Sequence, residues 1–379
     1  MISLLILPQL FACKGCNDNN LSDQGKLQEE EIVFTNSWGK WLDMAKTSNG
    51  SPVLSYYDIT QGGLGVATGS LDGSEVTWSH ESVDGFPNEQ GLDQGDRGLY
   101  SSIAVDASDR IWVSYYDVGL KNLRYATKSN GSEEWTTGVA DTGSGGTPDA
   151  GFYSSIALDS EGLPVIAHYD NFRKSLRVAH YDGASFSAEI VDEGEDYDNG
   201  AEVIDADVGK YASIAIESGV EYIAYYDAAA GDLKLAWGSA GDYSIEVVDS
   251  EGNVGQWPSI VVQNGAVYIS YHDISNDQLK FTSGRPAAWT FDIIDQGEAI
   301  GADSDILVSE NGIFVTYHDG YNNDMKYAYR NSDGTWNTQS YIGVDGALGF
   351  HNALVEIDGT LYGASFDYTQ ETVWFSSIQ

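Results

Sequence analysis

A pattern of glycine and aspartate recurs seven times along the chain and constrains the fold more than any other feature. In each copy a glycine is followed by two apolar runs, and the second run ends on an aspartate. Glycine and aspartate are 19 positions apart in the first three copies and 18 in the last four. Such regularity is typical of repeat architectures. The glycines are Gly39, Gly98, Gly151, Gly209, Gly255, Gly301 and Gly349, and the aspartates are Asp58, Asp117, Asp170, Asp227, Asp273, Asp319 and Asp367.

Each copy has the composition of four short strands. In the second copy the runs cover residues 100–106, 111–117, 122–127 and 135–141, are rich in β-branched and aromatic residues, and are bounded by turn residues. The first two runs are apolar on both faces, which is typical of a sheet enclosed between neighbours. We therefore predict an all-β fold, a seven-bladed β-propeller of four-stranded antiparallel blades that begin near residues 39, 98, 151, 209, 255, 301 and 349.

The two ends of the repeat region predict how the ring closes. After Gly349 the chain has room for three strands but not for a fourth. Residues 31–35 (EIVFT) precede the first copy and have the composition of a strand. We expect them to complete the last blade, because this pairing would remove two exposed sheet edges. The propeller is predicted to span residues 29–379.

The first residues predict export. The apolar run 2–12 is too short to span a bilayer and suits the hydrophobic region of a signal peptide, which we assign to residues 1–12. Residues 10–13 (LFAC) resemble the bacterial lipobox, which implies that Cys13 is lipidated and that residues 13–28 form a flexible tether. The protein is then an outer-membrane lipoprotein or extracellular, and meets the membrane only through this anchor. The alternatives are that this segment is an ordinary cleaved signal peptide without a lipid, or that it is an apolar N-terminus buried in the fold.

The charge of the chain restricts its partners. The sequence has 18 Lys and Arg residues against 58 Asp and Glu residues, a formal net charge of −40. A polyanion of this density repels phosphate backbones, so nucleic acid is excluded as a partner. The charge does not indicate disorder, because 42% of the residues are hydrophobic and can form a large core.

The connections between copies are elaborated on one face of the predicted ring. Those that lead into the second, third and fourth copies are longer than those into the fifth and sixth. They leave the ring on the same face as the turns that follow the repeated aspartates. We predict that this face, over blades 1–4, binds a partner, and we call it the elaborated face.

The longest of these connections is strongly acidic. Residues 193–208 contain seven carboxylates and no basic residue. Oxygen ligands at this density suit Ca²⁺, which binds six to eight of them in irregular loops. The predicted ligands are Glu195, Asp196, Asp198, Asp205 and Asp207, and Ca²⁺ is the predicted cofactor. The alternative is a solvated acidic loop without a metal.

The repeated aspartates and the residues before them have two interpretations each. The aspartates could surround a central ligand, but their presence in every copy favours a structural role, in which each accepts backbone N–H groups of the following turn. The repeat resembles WD-type propellers, and that resemblance implies the same turn-fixing role. His272 and His318 precede two of the aspartates and could bind a metal. Because Tyr, His and Phe alternate at this position, packing is favoured.

The residues that open the first strands should lie nearest the channel of the ring. These are Trp41, Tyr100, Tyr153, Tyr211, Trp257 and His351, with Asp303 in the sixth copy. Aromatic rings around a channel mouth could stack on sugars, and neighbouring carboxylates could bind their hydroxyls. The same residues could instead plug the channel. They are the predicted ligand-binding residues.

The repeats resemble those of secreted bacterial β-propellers, many of them lipoproteins. The resemblance rests on SYYD followed by LRYA (residues 114–117 and 123–126) and AYYD followed by LKLA (224–227 and 233–236). Residues 331–336 (NSDGTW) are also similar to the Asp-box turn of sialidase-type propellers. That resemblance implies an enzyme with three converging arginines, which this sequence does not place on the elaborated face.

These observations favour a function in binding. We predict a non-enzymatic cell-surface or extracellular propeller that recognises a protein or glycan partner through the elaborated face, with Ca²⁺ as a candidate requirement. One alternative is a lectin that uses the aromatic channel mouth. Another is a glycoside hydrolase or lyase that uses loop carboxylates, since such enzymes need only a carboxylate pair.

Overall fold

A computed structural model describes residues 38–378 except residues 74, 88–93, 145–148, 199, 201 and 342–345. Its first three blades are sheets of four antiparallel strands. Blade 1 consists of β1 (Trp38–Lys46), β2 (Pro52–Asp58), β3 (Gly63–Asp72) and β4 (Glu75–Asp84). Blade 2 consists of β5 (Arg97–Val105), β6 (Ile111–Asp117), β7 (Asn122–Lys128) and β8 (Thr136–Asp141). Blade 3 consists of β9 (Ala150–Leu158), β10 (Pro164–Asp170), β11 (Ser175–Tyr181) and β12 (Phe186–Asp192).

A short hairpin, β13 (Tyr197–Asp198) and β14 (Val203–Ile204), precedes the remaining blades. Blade 4 consists of β15 (Val208–Glu217), β16 (Val220–Asp227), β17 (Asp232–Ser239) and β18 (Asp242–Asp249). Blade 5 consists of β19 (Val254–Gln263), β20 (Ala266–Asp273), β21 (Gln278–Arg285) and β22 (Ala288–Gln296). Blade 6 consists of β23 (Ile300–Ser309), β24 (Gly312–Asp319), β25 (Asp324–Arg330) and β26 (Trp336–Tyr341). Blade 7 consists of β27 (Phe350–Ile357), β28 (Thr360–Asp367) and β29 (Thr372–Ile378).

The prediction of a seven-bladed antiparallel propeller is confirmed. The last blade has three strands among the described residues. The strand predicted at 31–35, the signal peptide, the tether and Cys13 all lie outside the described residues. No helix in the described part of the chain has the length and apolar character needed to cross a membrane.

The hydrophobic core is divided among the interfaces between blades. Seven clusters of buried residues are formed in the described chain, and each joins the side chains of two adjacent blades. One cluster joins blade 7 to blade 1, for example through Phe366 and Leu54. Because every blade packs on two neighbours, the sheets are apolar on both faces, as the sequence predicts.

The glycine that opens each blade allows a close approach to the preceding blade. Gly209 has φ of +101°, and a Cβ atom there would lie 2.7 Å from the Cα of Leu176 in β11. Gly255 has the same relation to Leu233 in β17, at 2.6 Å. A side chain is therefore excluded both by the backbone conformation and by the contact. This explains why glycine marks the start of the repeat.

The inner edges of the blades are joined by hydrogen bonds from backbone to side chain. Four residues after the opening glycine, an Asp or Ser accepts a backbone N–H from the first strand of the next blade, which would otherwise lack a partner. The acceptors and donors are Asp43 and Ile103, Ser102 and Ile156, Ser155 and Ile214, Ser213 and Ile260, Ser259 and Ile306, and Asp305 and Leu354, at 2.8–3.3 Å. Between blades 7 and 1 the acceptor position is Ala353.

The outer parts of five interfaces are joined by what we call the interblade latch. The aspartate that ends the fourth strand of one blade meets two polar side chains of the next blade. Asp192 accepts hydrogen bonds from Tyr225 Oη at 2.7 Å and from Lys234 Nζ at 2.6 Å. The other latches are Asp84 with Tyr115 and Arg124, Asp141 with His168 and Arg177, Asp249 with Tyr271 and Lys280, and Asp295 with Tyr317 and Lys326.

The repeated aspartates accept hydrogen bonds from the turns that follow them. Asp170 Oδ1 accepts the backbone N–H groups of Phe172 at 3.0 Å and Arg173 at 2.9 Å. Backbone N–H groups two or three residues further on also donate to Asp58, Asp117, Asp227, Asp273, Asp319 and Asp367. These carboxylates are buried and fix turns on the elaborated face.

Candidate functional site

The seven predicted channel residues surround the axis of the ring and share an unusual backbone conformation. Each lies two residues after an opening glycine and has φ between +47° and +55°. Each also coincides with an irregularity in the pairing of the first and second strands, for example between Lys40 and Asp43 in blade 1. Bulges of this kind redirect a side chain. The residues are Trp41, Tyr100, Tyr153, Tyr211, Trp257, Asp303 and His351, which we call the axial ring.

Six members of the axial ring are aromatic and stack on one another in a fan. The ring centroids of Tyr100 and Tyr153 are 4.9 Å apart, and those of Tyr153 and Tyr211 are 4.5 Å apart. Their interplanar angles are 58° and 46°. These values are close to the rotation of about 51° that relates adjacent blades in a sevenfold ring. The aromatic faces are therefore used for contact with neighbours.

The axial ring lines a small cavity on the axis. Its volume is about 180 Å³, and its walls are the seven ring residues together with the residue that follows each of them. Sites for drug-sized ligands are larger, about 300–1,000 Å³. The cavity therefore suits a single small group, such as one side chain or one ring.

The polar ends of the axial ring approach each other across the axis. The hydroxyls of Tyr153 and Tyr211 interact with each other, and Tyr211 also interacts electrostatically with Asp303 and Tyr100, which lie two blades away on either side. Burial raises the pKa of Asp303 to about 7, although the backbone N–H of His351 donates to its carboxylate. Burial lowers the pKa of His351 to about 3.

A second layer of aromatic side chains lies behind the axial ring. It is formed by the residues that precede the repeated aspartates. In the first four blades each is a tyrosine that donates to an Asp or Asn two positions before the next opening glycine. The pairs are Tyr57 and Asp96, Tyr116 and Asp149, Tyr169 and Asp207, and Tyr226 and Asn253, at 2.6–2.7 Å.

Histidine replaces tyrosine in this layer where the acceptor is missing. The two positions that would accept from His272 and His318 are occupied by Ala299 and Ala347. Both histidines are buried, and burial lowers the pKa of each to about 4. His318 contacts the ring of Phe350 at a centroid distance of 4.1 Å. The two alanines can be read from the sequence, but the repeat pattern alone does not show that the residues at these positions accept a hydrogen bond from the preceding blade.

The five predicted calcium ligands do not form a cluster. Asp196 Oδ1 accepts the backbone N–H of Ala206 at 3.0 Å, and Asp198 Oδ1 accepts that of Gly200 at 2.8 Å. Asp207 is bound by Lys210 and Tyr169, and Glu195 and Asp205 are exposed. Among the described residues, no three His, Cys, Asp or Glu side chains are arranged to hold a metal ion. Calcium binding stays a prediction.

The elaborated face carries exposed apolar side chains on segments that are held by hydrogen bonds. Leu120 and Val203 are 57% and 62% exposed, and Phe172 and Tyr197 are also exposed. The backbone N–H of Leu120 donates to Asp117, and that of Phe172 donates to Asp170. Tyr197 and Val203 belong to the β13–β14 hairpin, which the Asp196 and Asp198 carboxylates also hold.

A second cavity lies on the opposite face, between blades 1 and 2. Its volume is about 290 Å³, and its walls come from the β1–β2 turn and the β7–β8 turn. The lining is mostly hydroxyl and amide groups, together with Asp109 and the ion pair of Lys128 and Glu81. Asp109 joins the two blades by accepting hydrogen bonds from Ser48 N and Oγ at 2.6 and 2.8 Å.

Comparisons with known proteins identify the fold but no family. No family model matches the chain, and no curated protein matches its sequence. The structure is similar to Aleuria aurantia lectin, with a TM-score of 0.47 and 14% identity over 83% of this chain and 97% of the lectin. It is similar to the Hadza microbial sialidase Hz136, with a TM-score of 0.46 and 14% identity over 90% of this chain and 65% of the sialidase.

The structure is also similar to a prolyl endopeptidase, with a TM-score of 0.54 and 8% identity. That similarity covers 89% of this chain and 50% of the endopeptidase, so the chain spans half the length of that enzyme. At these identities the likeness concerns the fold alone. The chain is a seven-bladed β-propeller repeat protein.

Proposed function

We propose that the protein is a non-enzymatic extracellular propeller that binds a protein partner through its elaborated face. The observation that carries the proposal is a set of exposed apolar side chains on this face: Leu120 in blade 2, Phe172 in blade 3, and Tyr197 and Val203 in the hairpin between blades 3 and 4. Exposed apolar groups on a rigid scaffold are typical of interaction sites. Here the aspartates of the turns and the hairpin hold the backbone that presents them.

The charge of the elaborated face indicates the character of the partner. The acidic residues Glu193, Glu195, Asp196, Asp198 and Asp205 lie in or beside the apolar hairpin, and this segment contains no basic residue. Complementary charges accelerate association and exclude unsuitable partners. We expect the partner to present apolar side chains within a basic surface, and we expect added salt to slow the association.

The test compares two pairs of exposed apolar residues. The variant F172S/V203S removes apolar area from the elaborated face, whereas V247S/F291S removes it from the outer strands of blades 4 and 5, where both residues are also exposed. Proteins cross-linked to each variant on the cell surface are identified by mass spectrometry. The proposal requires a partner captured by the wild type and V247S/F291S but not by F172S/V203S. Equal capture by both variants would refute it.

The lectin alternative depends on the axial cavity. Sugars stack on free aromatic faces. In the axial ring those faces already contact neighbouring rings, at centroid distances of 4.5–5.3 Å from Trp41 to Trp257. This packing favours the elaborated face as the binding surface. A glycan array, probed with and without Ca²⁺, tests the lectin alternative directly.

The enzyme alternative requires two carboxylates around one cavity. Glycoside hydrolysis uses an acid and a nucleophile or base about 5–10 Å apart. Asp303 is the one carboxylate among the described residues that line the axial cavity. Polysaccharide hydrolysis that disappears in the Asp303→Asn variant, or in a variant of the loop 193–208, would overturn the proposal of a non-enzymatic protein.

A further inference from the structure

We propose that the axial cavity binds a protonated primary amine, with the Asp303 carboxylate as its counter-ion. This site is separate from the partner surface of the elaborated face. The ligand class is a small alkylammonium group, of which a lysine side chain is the commonest example in proteins.

The axial ring is interrupted at Asp303. Six of the seven equivalent positions hold a flat ring, and the fan of stacked rings runs from His351 through Trp41 to Trp257. Asp303 keeps the same left-handed backbone, with φ of +50°. Its shorter side chain interrupts the stack between Trp257 and His351 and places one carboxylate on the cavity wall.

The Asp303 carboxylate differs from the latch aspartates in its partners. Each latch aspartate faces a Lys, Arg or His side chain of the next blade, as Asp192 faces Lys234. Within the described part of the chain, no lysine or arginine forms an ion pair with Asp303. Burial of an ionised carboxylate without a cation is costly. An ammonium group in the cavity would supply the charge that the chain supplies at the latches.

Oxygen atoms of Asp303 and of the ring tyrosines lie near the axis. An ammonium group has three N–H donors and needs acceptors for them. The Asp303 carboxylate and the hydroxyl of Tyr211 interact with each other, and Tyr211 also interacts with Tyr153. Phenol and carboxylate oxygens can accept these hydrogen bonds, and the edges of Trp257 and Trp41 can cover the aliphatic part of the ligand.

The groups that face Asp303 determine how binding depends on pH. They are His351 of β27, Tyr211 of β15 and Tyr368, which follows β28. His351 is neutral above pH 5 because its pKa is lowered to about 3 by burial, Lys40 and His318. The pKa of both tyrosines is raised, mainly by burial, so they also stay neutral. Of the groups that line the cavity, Asp303, with a pKa of about 7, titrates in the neutral range. Burial also raises the pKa of Asp305 to about 7, but its carboxylate accepts hydrogen bonds from Ser259 Oγ and from the backbone N–H of Leu354, each at 2.8 Å, and does not line the cavity.

The amine requires the ionised form of Asp303, which sets the expected size of the effect. For a carboxyl with pKa of about 7, the ionised fraction increases about tenfold between pH 6 and pH 8. The affinity for an alkylammonium probe, whose own charge is constant in this range, should increase by the same factor. A neutral ligand held by hydroxyl groups would lack this dependence.

The test is a titration of the full chain with Nα-acetyl-lysine methylamide, followed by calorimetry or tryptophan fluorescence. We expect Kd to be about tenfold lower at pH 8 than at pH 6, and at least tenfold higher in D303N than in the wild type at pH 8. The matched control D333N removes a carboxylate from the exposed turn between β25 and β26 and should bind as the wild type does. The norleucine analogue, which lacks the amine, should not bind.

Several results would overturn this inference. The first two are that the wild type does not bind the lysine probe, or that D303N binds it as tightly as the wild type does. The others are that Kd does not change with pH, or that the norleucine analogue or methyl glucoside binds as tightly as the lysine probe. If D303N does not fold, the pH series and the norleucine comparison on the wild type decide the question. None of these results affects the partner surface, because F172S/V203S changes residues outside the axial cavity.

Discussion

The interblade latch between blades 4 and 5 allows a quantitative test of what joins the ring. Lys280 Nζ donates to Asp249 Oδ2, which also accepts from Tyr271, and the side chains of Lys280 and Asp249 are only 11% and 7% exposed. Burial opposes ionisation of Asp249, but the hydrogen bonds from Lys280 and Tyr271 outweigh it and lower its pKa. Replacement of Lys280 by Met keeps the length of the side chain and removes the charge.

The expected cost of K280M follows from the buried carboxylate that it leaves behind. Removal of one partner of a buried ion pair destabilises a protein by about 3–5 kcal/mol. At an unfolding entropy of about 2.1 cal/mol/K per residue, a propeller of about 340 residues has an entropy of about 0.7 kcal/mol/K. A loss of about 3 kcal/mol therefore lowers Tm by about 4 °C.

The assay is thermal and guanidinium unfolding, followed by circular dichroism. The matched control is K121M, because Lys121 also pairs with an aspartate, Asp149, but its side chain is 59% exposed. Exposed pairs contribute about 0–1 kcal/mol, so the control should unfold close to the wild type. The double variant D249N/K280M removes both charges and should recover at least half of the loss. The reasoning fails if K280M and K121M unfold alike, or if the double variant is less stable than K280M.

Three further predictions concern the fold and the acidic loop. G209A should prevent folding, because the added Cβ would lie 2.7 Å from the Cα of Leu176. In the control G219A, where φ is +79° but the space around the Cβ is open, the free energy of unfolding should fall by only about 1–2 kcal/mol. Expression level and Tm distinguish the two outcomes. S155A should lower the free energy of unfolding by about 1 kcal/mol, because the backbone N–H of Ile214 loses its acceptor; denaturant unfolding tests this. If the loop 193–208 binds Ca²⁺ in the folded state, millimolar Ca²⁺ should raise Tm, and an unchanged melting curve would argue against such a site.

At acidic pH, protonation of the latch aspartates should dominate the change in the free energy of unfolding with pH. Burial opposes ionisation of Asp84, Asp192 and Asp249, but the hydrogen bonds that they accept from latch partners outweigh it and lower the pKa of each. A carboxylate with a lowered pKa stabilises the fold above the ordinary value near 3.8, and this contribution disappears as the pH falls through the folded-state pKa. The free energy of unfolding should therefore fall steadily below about pH 4. A constant stability between about pH 5 and pH 2.5 would contradict this role of the latches.

The repeat predicts the blades well because it records contacts that every copy must make. The predicted strands 111–117 and 122–127 of the second copy agree with β6 and β7 to within one residue. The position of the axial ring also follows from the repeat, since Tyr100 and its equivalents lie at a fixed distance from glycine. The left-handed backbone of these residues does not follow from the repeat, because aromatic residues rarely adopt this conformation. Here the bulge that recurs in all seven blades imposes it.

The latches could not be predicted from one copy, because their partners belong to different blades. The basic residues of the latches can be recognised in the sequence, because each lies seven positions after the repeated aspartate of its copy. They are Arg124, Arg177, Lys234, Lys280 and Lys326. The repeat does not say which acid each one meets. The acceptor lies in the previous blade at a variable distance along the sequence, so the pairing depends on how blades pack.

The latch position changes character in the first and last blades. Gly65 occupies it in blade 1 and Trp374 in blade 7, so both interfaces of blade 7 lack the basic residue found in the other five. Phe366, Val373 and Phe375 instead join blade 7 to blade 1 through apolar contacts. Separation at a latch would leave a buried aspartate without its cation, which is costly. Because the described residues of blade 7 form no latch with either neighbour, we expect the ring to open first beside blade 7 during unfolding, and limited proteolysis to begin there.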